Sequence, residues 1–235
     1  MAYERKDIIS RIKFLIQDGA GFMDTASLDT AIEAAVNIYS RDIPQIKIND
    51  FTGDGLAYSW AVPSDWQEEF SAVKAVEYPQ GENPAEYLED DEWTIYYDLV
   101  DNVKTLKFRL IDITPSATET IRLLYTAPHT VPAAGSVTIR DVDGEAFCHL
   151  TASLCLRALA AKHTQSSEST IGADSVDWSS KVQQYIDLAK EYESLYRNHL
   201  GKGDDQPVKA GSAIQDMDTR FAWGADFVFH PRKWR

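Results

Sequence analysis

The spacing of apolar residues changes period twice along this chain, and that change constrains the fold more than any other feature. As far as Tyr39 apolar residues recur at helical intervals. From Gln45 they alternate with polar ones, and from Asp141 the helical interval returns. A chain written this way places helices at its two ends and strands between them. The expected class is α+β: a four-helix core of two N-terminal and two C-terminal helices, an inserted antiparallel β-rich section, and an extended C-terminal tail. The corresponding boundaries are an N-terminal helical hairpin over 1–44, the β-rich insertion over 45–140, a C-terminal helical pair over 141–201 and an interaction tail over 202–235. With 235 residues the chain is long enough to bury a substantial core.

The helices can be read in more detail. Ile8, Ile9, Ile12, Leu15 and Ile16 form one apolar face of a helix over 7–18, which Gly19-Ala20-Gly21 should stop. Thr25 or Ser27 can cap a second helix whose buried stripe is Leu28, Ala31, Ile32, Ala35 and Tyr39, with Pro44 just past its end. Asp141 or Asp143 can cap a third that runs to about Thr164. Phe147, Leu150, Leu154, Ala158 and Ala161 form its stripe; Ala152, Leu156 and Leu159 widen it until most sides are apolar. Such a helix is central to its core, or faces both a core and a neighbouring subunit. The last helix, over 175–200, carries Val182, Tyr185, Ile186, Ala189, Tyr192 and Tyr196 on one side and ends at Gly201.

Between them, Ile46, Ile48 and Phe51 read as the inward residues of a half-buried strand. Gly53-Asp54-Gly55 is a turn into a second strand over 56–62, ended by Pro63. Further strands are expected over 73–78, 93–99, 103–110 and 119–125, with Asp101-Asn102 as a hairpin turn. The sum is a small antiparallel sheet or sandwich.

Catalytic signatures are missing from the sequence. There is no nucleophile elbow, phosphate loop, zinc-protease helix or dinucleotide-binding glycine motif. The five histidines, His129, His149, His163, His199 and His230, fall at spacings that suit core or surface roles better than ligation. Asp65-Trp66 reads as a turn followed by an anchor residue. Glu82, Glu86, Glu89, Asp90, Asp91 and Glu92 crowd one stretch without the EF-hand spacing, so a solvated loop is expected there. Cys148 and Cys155 lie about 10 Å apart along one helix, too far for a disulfide, and read as small buried hydrophobes. No enzyme activity, metal or cofactor is expected.

The net charge of -14 disfavours ordinary duplex binding and suits a surface past which DNA must slide, or a DNA mimic. No apolar run approaches the roughly 18–20 residues that span a bilayer, so no membrane partner is expected. The N-terminus lacks a continuous apolar stretch of the signal-peptide kind, which points to a chain made and used in a cytosol. The tail is of two kinds. Gly203-Asp204-Asp205-Gln206-Pro207 is linker-like, whereas Arg220, Phe221, Trp223, Phe227, Phe229, Arg232, Lys233, Trp234 and Arg235 crowd aromatic and basic groups together. These residue types dominate interface energetics, so this end of the tail is the candidate partner-binding site.

The order of the pieces resembles the head–tail connector, or adaptor, proteins of tailed bacteriophages. The resemblance rests on Asp7-Ile8-Ile9-Ser10-Arg11-Ile12 with Ser27-Leu28-Asp29-Thr30-Ala31-Ile32 running to Tyr39 and Pro44. It rests also on Val62-Pro63-Ser64-Asp65-Trp66, on Val76-Glu77-Tyr78-Pro79, and on the small-residue helix through Ala152, Leu156 and Ala160. It covers most of 7–200; the acidic loop and the aromatic end of the tail depart from a minimal version. The resemblance implies a structural virion protein at the head–tail interface. Copies would form a ring of about twelve through a repeated side-to-side contact. The ring would sit beneath the portal protein and extend the channel through which genomic DNA passes without specific binding. Its tail would dock on the portal, and its far side would meet the next neck or tail-completion protein. Other expectations compatible with the residues are a tail-completion or stopper protein, an acidic DNA-mimicking inhibitor, or an enzyme built on the acidic cluster.

Overall fold

Local sequence sets each helix end in a different way. In the computed structural model, which describes residues 4–17, 23–100, 103–166 and 178–202, α1 spans Arg5–Ile16 and buries Ile8, Ile12 and Ile16. At its start the Asp7 carboxylate accepts from the Glu4 backbone N–H at 3.1 Å. It stops on Gln17, which adopts the left-handed conformation (φ 46°), and not at the glycines, which fall outside the described residues. Helix α2, Thr25–Asp42, is capped by neither Thr25 nor Ser27: the Asp24 carboxylate accepts from the Ser27 N–H at 2.8 Å. Asp lies one residue further out and reaches the free amide of the first turn just as well. The expected stripe of α2 is buried throughout.

Six strands follow: β1 Gln45–Thr52, β2 Ser59–Ala61, β3 Val73–Glu77, β4 Trp93–Val100, β5 Val103–Leu110 and β6 Thr120–Ala127. They form two antiparallel sheets, ordered β1-β6-β3 and β2-β5-β4. β4 and β5 are a hairpin, paired from Trp93↔Leu110 to Val100↔Val103; the turn residues Asp101 and Asn102 lie outside the described residues. Phe51, Val76, Ile121, Leu123 and Tyr125 from the first sheet share one core with Phe108 and Leu110 from the second, which makes a small sandwich. Phe51, Trp60 and Phe108 form a three-ring cluster, with the Phe51 centroid 5.7 and 5.6 Å from the other two and those two 6.3 Å apart.

Two strand expectations need correction. β1 turns the opposite face inward: Ile46 and Ile48 are 63% and 59% exposed, while Phe51 is buried. Positions 46 and 48 differ in parity from 51, so one strand cannot bury all three. The aromatic, with sandwich partners, sets the inward face. Lys47 therefore points to the inner side, where Asp65 pairs with it. The second strand is also shorter than 56–62, because the Asp54 carboxylate takes the N–H groups of Leu56 and Ala57 and holds that stretch in a turn. Gly53 is required beside it: a Cβ there would stand 2.2 Å from the Ser116 carbonyl oxygen.

The chain then returns to helix. A single 3₁₀ turn, Asp141–Asp143, leads into α3, Gly144–Ser166, and α4 follows over Trp178–His199. α3 is the central helix and contacts α1, α2 and α4. Three neighbours bury a wide arc that includes Phe147, Cys148, Leu150, Ala152, Cys155, Leu156 and Leu159. Ala158 and Ala161, expected on the buried stripe, instead lie exposed beside Arg157 and Lys162. Val131 and Ile139, from the segment after β6, complete the helical core. Arg5 ties that segment down, donating to the Val131 carbonyl and to Asp29, both at 2.7 Å.

Candidate interaction surfaces

The described chain ends at Lys202, so the partner-binding residues expected from sequence, Arg220, Phe221, Trp223, Phe227, Phe229, Arg232, Lys233, Trp234 and Arg235, lie outside the described residues, as does His230. What the structure does place is the root of the tail. α4 closes with Gly201 in the left-handed region (φ 69°), as its sequence predicts. The Lys202 N–H donates to the Arg197 carbonyl at 2.8 Å and the Gly201 N–H to that of Asn198 at 3.0 Å, the paired bonds of a Schellman ending.

Two polar clusters clamp this root to the end of α2. In the first, Asp42 accepts from the Tyr196 hydroxyl and from Lys202 Nζ, both at 2.6 Å. In the second, Asp143 receives the Tyr39 hydroxyl at 2.6 Å, Arg140 Nε at 2.6 Å and His199 Nε2 at 2.9 Å. Asp143 is thus not a helix cap. It is a nearly fully buried hub that joins α2, the turn before α3 and the last turn of α4. Burial works against its charge, but the three donors win and hold the carboxyl below its ordinary range. Burial and the neighbouring carboxylate push the Tyr39 hydroxyl up to about 12, and the same causes raise that of Tyr196. Both tyrosines stay protonated and serve as donors. Ile38, Leu150 and Leu154 floor an open groove of about 480 Å³ next to this root, with Lys202 on its rim.

The remaining candidates take ordinary structural positions. His129 is buried, with its ring nitrogens 2.9 Å from the Ile43 carbonyl and 2.8 Å from that of Thr138. His149 stacks on Tyr192 and His163 on Tyr185. Burial pushes both cysteine thiols up to about 12, so they pack as small apolar groups. Tyr125 and Lys47 both bond Asp65, and Trp66 stacks on Tyr125, which agrees with the reading of Asp65-Trp66 as a turn and its anchor. In the acidic stretch Glu82, Glu86, Glu89, Asp90 and Asp91 are exposed, and Glu92 accepts from the Glu89 N–H at 2.8 Å. Among the described residues no three His, Cys, Asp or Glu side chains gather closely enough to hold a metal ion. No described helix is long and apolar enough to cross a membrane.

Two apolar surfaces went unread in the sequence. One is the outer face of β1, where Ile46 and Ile48 lie beside Thr126 and Leu124 of β6. The other is the distal half of the β4–β5 hairpin. Its inner face holds the rungs Trp93–Leu110, Ile95–Phe108, Tyr97–Leu106 and Leu99–Lys104. Phe108 and Leu110 are buried beneath the other sheet, whereas Tyr97 is 43% and Leu99 74% exposed. The hairpin therefore overhangs the sandwich by two rungs. No sequence signal marks this, since β1, β6, β4 and β5 are all eight residues long.

No protein-family model matches the chain, and no curated protein matches it.

Proposed function

We propose that this protein is a head–tail connector (adaptor) subunit of a tailed bacteriophage. In this reading it is a structural ring component of the virion neck, assembled in the host cytoplasm, that extends the DNA channel beneath the portal. The observation that carries the reading is the clamped root of the tail. The residues that end α4 are tied to α2 and to the turn before α3 by Asp42 and Asp143. The segment rich in aromatic and basic residues thus follows a root held at one defined point of the helical core. This suits a tail that docks on a partner: anchoring the root lowers the entropy lost when the free end binds. The net charge of -14 is compatible with a conduit along which DNA slides. Helices at both ends with a β sandwich inserted between them agree with the element order on which the resemblance rests.

The test is electron microscopy of the purified chain with and without a portal ring, repeated with a chain truncated after Lys202. The expected result is a closed ring stacked coaxially on the portal, lost on truncation. Small dispersed species in every sample would overturn the connector reading and favour an acidic inhibitor of a DNA enzyme. A ring that binds the portal equally well without the tail would overturn the docking role alone.

A further inference from the structure

The overhanging hairpin poses a physical problem. Two strands with one apolar face are marginal in water without a third layer. Here the rungs Tyr97–Leu106 and Leu99–Lys104 continue the inward face after the opposing sheet has ended. A hairpin meant for solvent would carry polar residues at those positions. Thr94, Tyr96 and Asp98 lie on its other face, where Asp98 pairs with Lys107 at 2.6 Å. Beyond the sandwich the uncovered side therefore carries Tyr97, Leu99 and Leu106 together with Lys104.

The same chain carries a second uncovered apolar surface of the opposite construction. Ile46, Ile48 and Leu124 form a flat strip on the outer face of the β1-β6-β3 sheet, and β1 is an edge strand. One end of this strip is acidic, at Asp50 with the buried Glu77 beyond it. Arg122 binds Asp50 through two bonds of 2.8 and 2.9 Å and reaches Glu77 at 4.0 Å, so two carboxylates share one guanidinium. The hairpin carries the complementary charge: Lys104 Nζ sits 3.4 Å from the centroid of the Tyr97 ring, beside Leu99.

We propose that the hairpin of one copy docks its Tyr97, Leu99 and Lys104 face on the Ile46–Ile48 strip of the next copy, with Lys104 approaching Asp50. The inference rests on the ring reading above and names the contact that would build the ring. The two surfaces are different, so the contact is heterologous: each copy offers a hairpin on one side and a strip on the other, and repetition closes a ring or extends a filament. An apolar centre with one charge pair at its rim is the usual anatomy of such an interface.

The test uses cross-linking through one added surface cysteine per variant. Cys148 and Cys155 are fully buried in the helical core, so a short bismaleimide should spare them. Ile48→Cys and Leu99→Cys are made in separate full-length chains, mixed at assembling concentration, with portal protein added where the chain alone stays small. The expected result is a mixed cross-linked dimer at least ten-fold more abundant than the dimer from either variant alone. A chain carrying both substitutions should give a ladder that stops at the ring number. Leu99→Asp should prevent assembly while leaving the thermal transition in place, since the side chain is exposed. If the wild-type chain forms rings but no mixed cross-link appears, or Ile48→Cys links mainly to itself, this contact is wrong and the ring reading stands. If the wild-type chain remains a single copy under all conditions, the ring reading itself has failed and the contact falls with it.

Discussion

Replacing Asp143 by Ala tests the clamp at the tail root most directly. Its carboxylate is nearly fully buried and takes three donors. Tyr39 is fully buried, so its stranded hydroxyl would cost about 2–3 kcal/mol as an unmet donor that had bonded a charged group. The Arg140 and His199 side chains are 53% and 41% exposed and can rehydrate, so each adds only about 0–1 kcal/mol. Removing a buried charge relieves some desolvation and offsets part of this. The net loss is about 3 kcal/mol, which for a chain of this size lowers Tm by about 6–12 °C. The assay is thermal unfolding followed by far-ultraviolet circular dichroism at 222 nm, because the clamp lies within the helical core. A double-mutant cycle sharpens it. Tyr39→Phe should destabilise the wild-type chain by about 1.5–3 kcal/mol and the Asp143→Ala chain by clearly less, since the bond is already gone. The reasoning is refuted if Asp143→Ala moves Tm by less than about 3 °C, or if Tyr39→Phe costs the same in both backgrounds.

Three further outcomes are expected. The Asp143 carboxyl titrates below its ordinary range when folded, so its charged form stabilises the fold above that range; stability should fall as the pH drops below about 4 and through the depressed value. Denaturant midpoints measured between pH 6 and 3 should show an acid limb, and Asp143→Ala should make it shallower, the remainder belonging to other carboxylates held low, such as Asp50 and Asp65. Gly53→Ala drives a Cβ against the Ser116 carbonyl oxygen, so urea unfolding should show a loss of about 1–3 kcal/mol from the strain, where the same change on an open turn would be neutral. Phe108→Ala empties the centre of the sandwich between Phe51, Trp60 and Trp93 and should cost about 3–5 kcal/mol, read by the loss of near-ultraviolet dichroism at lower denaturant.

Hydrophobic period is a local property, so the class and the order of elements were legible in the residues alone. Leu28, Ala31, Ile32, Ala35 and Tyr39 are buried as their spacing requires, and Gly201 ends α4 because only a residue tolerant of positive φ closes that turn cheaply. Which face of β1 points inward was not local. Ile46 and Ile48 on one parity competed with Phe51 on the other, and the contest was settled by the second sheet, through nearby Trp60 and through Phe108, which is distant in sequence. The buried arc of α3 likewise depended on three helices arriving around it, which put Ala158 and Ala161 outside. Asp143 looked like a cap because caps are local; its partners Tyr39 and His199 lie 104 and 56 residues away. The overhang of the β4–β5 hairpin was equally invisible, since Tyr97 and Leu99 alternate as any inward residues do. Alternation states which side of a strand is apolar, and only the packing of the other sheet decides how far along that side the cover extends.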